Sequence, residues 1–326
     1  TVDQFEFDPL FACRGLVYDK AGNLVSRSTP YPIEQVISDV LPPRISGREF
    51  ELGFYPSFEG TTIRMFCYNG RWFTTTNRKF DSYQSTWGSS KSFGQLFDEA
   101  LEYECQIAQH CPDPVSDRLQ LASISKFATV SLREALQSSL DPTNTYVFLV
   151  RSTVETRIVS QPPADGTHRL YHVATYASCE PVYPSWDDDC GHCSIKPLPR
   201  LPFTTHEGVS NYVNNLSPDV GSGVYTFTGD VMVKFNSPIY TELRKVRGNE
   251  PSIVLRYLQI RNDARMVEML EKLYPDKVAE FRAVDGNMVK VGHVIFSAYK
   301  KRFIQKVHTV IPHEEFQVMR KVHDWF

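Results

Sequence analysis

Apolar and polar residues alternate over much of the first 90 residues, the period-2 pattern of half-buried strands. Cys13–Tyr18 and Asn23–Ser26 flank a Lys-Ala-Gly-Asn turn and predict one hairpin. A second is predicted from Gly60–Cys67 and Trp72–Thr76, joined through Tyr68, Asn69, Gly70 and Arg71; Asn-Gly adopts the positive φ angles of a tight turn at little cost. The period then changes. Phe93, Leu96, Phe97, Ala100, Leu101, Tyr103 and Ile107 recur at helical spacing between Ser92, a candidate N-cap, and Pro112. Part of 119–140 reads as helix, Thr145–Val150 as a buried strand, and Arg169–Thr175 and Val224–Phe235 as further strand segments. Beyond Lys234 the strand signal fades, and amphipathic helices are predicted over Ile239–Val246, Ile253–Asn262, Ala264–Leu273, Val294–Val307 and His313–Trp325. The expected class is α+β, with a strand-rich domain over 1–235 and a helical module over 236–326.

Composition narrows this further. With 326 residues, 41% apolar and 22% charged, a mainly disordered chain is excluded. No uncharged apolar run approaches the roughly 18 residues of a membrane span, and the first residues lack the basic and apolar regions of a secretory signal. The net charge of −3 hides a gradient: 232–326 carries 17 Lys and Arg against 11 Asp and Glu, whereas the preceding residues carry 18 against 27. A basic C-terminal region suits RNA or a protein partner, although helix-rich segments also carry solvated charge. Seven cysteines, an odd number in a long chain, favour a reducing, intracellular compartment. Cys190-Gly-His-Cys193, with Cys179 upstream and His168 and His172 before it, has a spacing compatible with zinc; the same residues also read as free thiols in a loop.

Five separated segments carry the chemical signal. They are Cys13-Arg-Gly-Leu-Val-Tyr-Asp19 with Arg27 after its turn, Pro56-Ser-Phe-Glu-Gly-Thr-Thr-Ile-Arg64, Tyr146–Val150, His206-Glu-Gly-Val209, and Val231-Met-Val-Lys-Phe-Asn-Ser-Pro-Ile-Tyr240. In this order, over about residues 11–248, they resemble the covalent nucleotidyltransferases, in particular bacteriophage and viral RNA ligases. The resemblance implies an ATP-grasp-like ligase core of antiparallel β structure, ATP and Mg as cofactors of an active enzyme, and RNA or other viral proteins as partners. It also admits a virion as a place of residence. In that family a lysine attacks the α-phosphate of ATP and becomes adenylated. The implied nucleotide contacts are Arg14, Arg27, Glu59, Arg64, Phe148, Glu207 and Lys234.

The departures decide the functional expectation. Ser57 occupies the position of the nucleophilic lysine, and 21–78 contains no lysine. A serine hydroxyl cannot form the lysyl phosphoramidate, and no base adjoins it in sequence. Leu149 stands where the family has an acidic residue, Asn236 replaces a second phosphate-binding lysine, and Tyr31 replaces a basic residue. Lys79, after the second hairpin, is a rescue candidate, although its position suits a solvated hairpin-end lysine better. The expected protein is a ligase-like nucleotidyltransferase without adenylyl transfer, retained for nucleotide or RNA binding or as a structural, virion-associated component. The alternative is an active RNA ligase or repair enzyme with a non-standard nucleophile. Taken singly, the implied contacts also read as structure: Phe148 as core, and the arginines as partners of Glu59 and Glu207 at strand ends.

Overall fold

The computed structural model describes residues 13–35, 37, 53–110, 122, 125, 126, 128–151, 159, 169–177, 195–228 and 231–325. The chain separates into two compact units, 1–245 and 246–326.

The first unit is built on two four-stranded sheets and a small ribbon. The ribbon pairs β1 (Val17–Tyr18) with β2 (Leu24–Ser26), as the first hairpin predicts. One sheet has the order β3 (Ile33–Gln35), β10 (Val231–Asn236), β9 (Gly223–Thr228), β4 (Phe54–Ser57). Its pairs are antiparallel except β10 with β3, so the expected antiparallel core carries one parallel edge. The other sheet, β6 (Arg71–Thr76), β5 (Thr61–Tyr68), β7 (Thr145–Arg151), β8 (Arg169–Tyr176), is antiparallel throughout. Asn69 and Gly70 take φ values of 52° and 72° in the β5–β6 turn, the geometry Asn-Gly favours.

Period-2 alternation sorts each strand into two faces. From the second sheet, Ile63, Met65, Tyr146, Phe148 and Val150 join Leu96, Phe97, Ala100 and Leu101 of α1 (Phe93–His110) and Ala135 and Leu136 of α2 (Leu132–Ser139) in one core. Ser131 caps α2 in a capping box with Glu134. From the first sheet, Phe54, Val224, Val233 and Phe235 pack with Val209 and Val213 of α3 (His206–Asn214). The intervening residues, among them Thr62, Leu149, Tyr225, Met232 and Lys234, line a cavity between the two sheets.

Helix α4 (Pro238–Arg247) crosses the boundary between the units. The second unit continues with α5 (Ile253–Ile260), α6 (Ala264–Leu273), α7 (Val278–Tyr299) and α8 (His313–Trp325). Helix α7 begins sixteen residues earlier than the sequence pattern predicts, because the apolar residues of its middle turns spread widely around the helix and blur the amphipathic period.

Candidate functional site

The cavity encloses about 440 Å³. Its walls differ chemically: Phe58, Leu149, Val173, Leu198 and Met232 are apolar, whereas Arg14, Glu34, Glu59, Lys234 and Arg244 bring charge.

Three of the sequence-predicted residues meet here: Arg14, Glu59 and Lys234. Arg14 lies over the Tyr31 ring at 4.5 Å and donates from Nη1 to the Pro30 carbonyl at 3.4 Å. With the Asn77 amide oriented so that its oxygen accepts, Arg14 Nε and Nη2 each donate to it at 3.0 Å. Burial lowers the Arg14 pKa, against the opposing pull of Tyr31. Lys234 reaches the cavity from β10, with Nζ 5.7 Å from the Tyr225 ring centroid and 5.6 Å from that of Tyr240, a cation–π setting for its ammonium. Glu59 is buried and committed to structure: it accepts from the Val159 amide at 2.8 and 3.0 Å. It also hydrogen-bonds Tyr240, whose phenol burial and Glu59 together hold above its ordinary pKa.

Arg64 lies on the same face of β5 as Thr62, two residues further from the cavity wall. Its Nε donates to Thr75 Oγ1 at 3.1 Å, while its buried Nη1 has no hydrogen-bond partner among the described residues. Desolvation lowers its pKa to about 10. Gly15 shows how closely the chain wraps this group: it takes φ +69°, and a Cβ there would lie 2.8 Å from Arg64 Nη1, so only glycine fits. Arg27 is similar. It stacks 5.1 Å from the Tyr176 ring, and its buried Nε has no partner among the described residues.

Three predicted residues sit elsewhere or face differently. Ser57 shares the cavity face of its sheet with Tyr225 and Lys234 by register, yet it is fully buried and its Oγ lies 2.8 Å from Ser222 Oγ. Phe148 points away from the cavity into the helix-covered core, with ring centroids 5.6 Å from Phe97 and 5.6 Å from His172; Leu149 takes the cavity side. Glu207 is an exposed residue in the first turn of α3, behind the Thr205 cap, where a carboxylate suits the helix dipole. Lys79 is exposed, and its carbonyl accepts from Thr76. Cys179, Cys190 and Cys193, with His168, lie outside the described residues.

Sequence reasoning missed Glu34, Phe58 and Arg244, and read Tyr31 only as the loss of a basic residue. Glu34 accepts from Arg244 Nη1 at 3.0 and 3.2 Å and from Asn236 Nδ2 at 3.0 Å. Burial alone would raise its pKa; the bonds and charges of Arg244 and Lys234 outweigh this and hold it low. Phe58 stacks on Tyr171 at 5.2 Å with Arg151 4.9 Å over its ring, leaving an aromatic side chain on the cavity wall. No local pattern links Glu34 to Arg244 across the sequence; Phe58, between Ser57 and Glu59 of the predicted motif, is the one within reach.

An anion fits this lining, because Arg14 and Lys234 bring positive charge to the space. A metal held by protein side chains does not: among the described residues no three His, Cys, Asp or Glu side chains cluster, and both cavity carboxylates are taken up.

No family model matches the chain. It is similar in sequence to viral proteins. The immediate-early protein ICP-46 homolog of Invertebrate iridescent virus 6 is 24% identical over 96% of this chain and 67% of its own length. The homolog of Invertebrate iridescent virus 3 is 28% identical over 76% of this chain and 48% of its own. ICP-46 of Frog virus 3 is 26% identical over 71% and 57%. The chain thus spans between about half and two thirds of the relatives it matches. Among solved structures it is similar to an RNA ligase of Naegleria gruberi with AMP and Mn, at 10% identity and TM-score 0.41 over 67% of this chain and 58% of that one. An archaeal ATP-dependent RNA ligase matches at 12% identity and TM-score 0.41, over 82% and 68%. Among the described residues no helix is long and apolar enough to cross a membrane.

Proposed function

We propose that this is a ligase-like viral nucleotidyltransferase-fold protein that binds a nucleotide or related polyphosphate in the cavity between its sheets without becoming covalently adenylated. The observation that carries this reading is the pairing of a cationic cavity with a disarmed nucleophile position. Arg14 and Lys234 face the space, and behind it Arg64 and Arg27 each hold a buried guanidinium nitrogen with no partner among the described residues. Such groups gain most from a phosphate, since buried donors without acceptors are costly. Ser57, at the place of the nucleophilic lysine, is covered and bonded to Ser222. Among the described residues no general base touches it in that arrangement, and its attack on phosphorus has no assistance from them.

When bound, the nucleotide would bring its own phosphates and their accompanying cation. The protein's share is to orient it. Arg14 and Lys234 would hold the phosphates, and Phe58 would pack against a flat base along the apolar wall. RNA or another viral protein as a larger partner, and residence in a virion, belong to the same reading, since the relatives are viral.

A second reading has one observation in its favour: Lys234 is the lysine among the cavity-lining residues. An amine there could attack the α-phosphate of ATP and expel pyrophosphate. Incubation with α-labelled ATP and Mg²⁺, denaturation and peptide mapping separates the two. Saturable ATP binding by calorimetry with no covalent label is the expected result. An acid-labile adduct on Lys234 would establish the enzyme, and absence of any nucleotide binding would remove the first reading.

A further inference from the structure

Helix α7 has a surface that nothing in its own unit covers. Its first turn is anchored by Phe281, fully buried and stacked on Tyr257 at 4.6 Å. At its other end Tyr299 and Phe303 pack against His323 of α8, and Arg302 lies over Phe316. Between these anchors every residue from 286 to 294 is exposed. This stretch is not a solvated surface in composition. From Gly286 to Tyr299 the one Lys, Arg, Asp or Glu is Lys290, while Met288 is 45% exposed, Val291 47%, Val294 55% and Phe296 56%. Contiguous apolar surface on a folded unit marks an interface.

The spacing says what kind of partner fits. Met288, Val291, Ile295 and Ala298 recur at intervals of three and four, the seam that packs helix against helix, with Met288 and Val291 exposed and Ile295 and Ala298 half-buried. Gly286 and Gly292 have open space where a Cβ would stand, so a second backbone can approach closely.

The charges choose the partner and its direction. The C-terminal end of the helix carries Lys300, Lys301 and Arg302; at the N-terminal end Lys277 and Arg282 are paired with Glu280 and Glu271, and Asp276 and Glu280 present the exposed acidic charge. Glu280 holds Lys277 at 2.6 Å but keeps half its side chain exposed. Two copies laid antiparallel about Lys290 and Val291 bring each basic end alongside the other's acidic end, and they also oppose the helix dipoles. A parallel pair would instead stack the three cations on their counterparts. We propose that α7 is the seam of an antiparallel homodimer, with the 284–298 face of one copy packed on the same face of a second.

The test is sedimentation equilibrium of the full chain. The wild type is expected to dimerise. Val291→Glu, at an exposed position whose change leaves the circular dichroism spectrum intact, is expected to raise the dissociation constant at least about tenfold, about 1.4 kcal/mol. Lys301→Glu is expected to weaken the dimer, and Glu280→Lys combined with Lys301→Glu to restore it. A wild type that stays monomeric overturns the proposal, even if another protein is later found on this face. A dimer indifferent to Val291→Glu overturns it as well. Failure of the charge exchange to restore affinity overturns the antiparallel arrangement. None of these outcomes depends on nucleotide binding.

Discussion

Arg64 is the residue where stability and function are most sharply opposed. A buried cation without a carboxylate partner is a cost to the fold, and a well-packed apolar replacement often loses nothing. Arg64→Met removes that cost but also the Nε bond to Thr75, which is itself fully buried; the two effects are of similar size, so the expected net change is within about 1 kcal/mol. Binding should respond differently. Affinity for tripolyphosphate is expected to fall at least about tenfold, a loss of about 1.4 kcal/mol, read by calorimetry beside urea unfolding of the same variant. A stability loss of about 3 kcal/mol with unchanged affinity would make Arg64 a structural brace instead. His172 supplies a second residue-scale test. Burial lowers its pKa to about 4 from the ordinary 6.5, so the unfolded chain binds a proton that the folded one refuses. Its contribution is intact above pH 6.5 and is lost as pH falls toward 4, by up to about 3 kcal/mol. In His172→Gln, the difference in urea stability between pH 7 and pH 4 is expected to shrink by a comparable amount.

At the scale of the element, the parity of β7 decides which side chain meets a ligand. Tyr146, Phe148 and Val150 share the face packed on α1, so Leu149 faces the cavity. Phe148→Leu is therefore expected to cost about 1–2 kcal/mol of stability while leaving ATP affinity unchanged within about twofold. Phe58→Ala, on the cavity wall, is expected to weaken ATP several-fold, and calorimetry on the two variants distinguishes the faces; the reverse order of effects would put the base platform on Phe148. This parity is not legible in the sequence, because Tyr146–Val150 is apolar at every position and carries no alternation; pairing with β5 and β8 sets it. The β5–β6 hairpin was legible for a local reason, since Asn-Gly and alternation act within a few residues. Strands β3 and β4 were not: three and four residues long, one containing Pro56, they exist because of neighbours more than 160 residues away in β9 and β10. Helix α3 was missed although Thr205 is an evident cap, because His-Glu-Gly was read as part of a motif.

Charge is divided over the whole molecule, and that division bounds what RNA could gain. The first unit is acidic and the second basic, with basic residues such as Lys306, Arg320 and Lys321 exposed on the latter. Others are already engaged: Lys300 lies 4.7 Å from the Phe296 ring, Arg302 4.7 Å from Phe316, and Lys272 and Lys277 pair with Glu268 and Glu280. Single-stranded RNA bound through the exposed Lys290, Lys301, Lys306, Arg320 and Lys321 would neutralise on the order of five phosphates. Its affinity should then fall with salt at a logarithmic slope of about −3.5, given roughly −0.7 per phosphate. Fluorescence anisotropy between low and physiological salt measures this directly. Exchanging Arg320 and Lys321 for Gln is expected to flatten the slope by about 1.4 by the same count, without touching the nucleotide cavity. A slope several times steeper would mean that the RNA runs over a much larger cationic surface than the second unit offers. A flat dependence would exclude phosphate contacts and leave the apolar face of α7 as that unit's means of association.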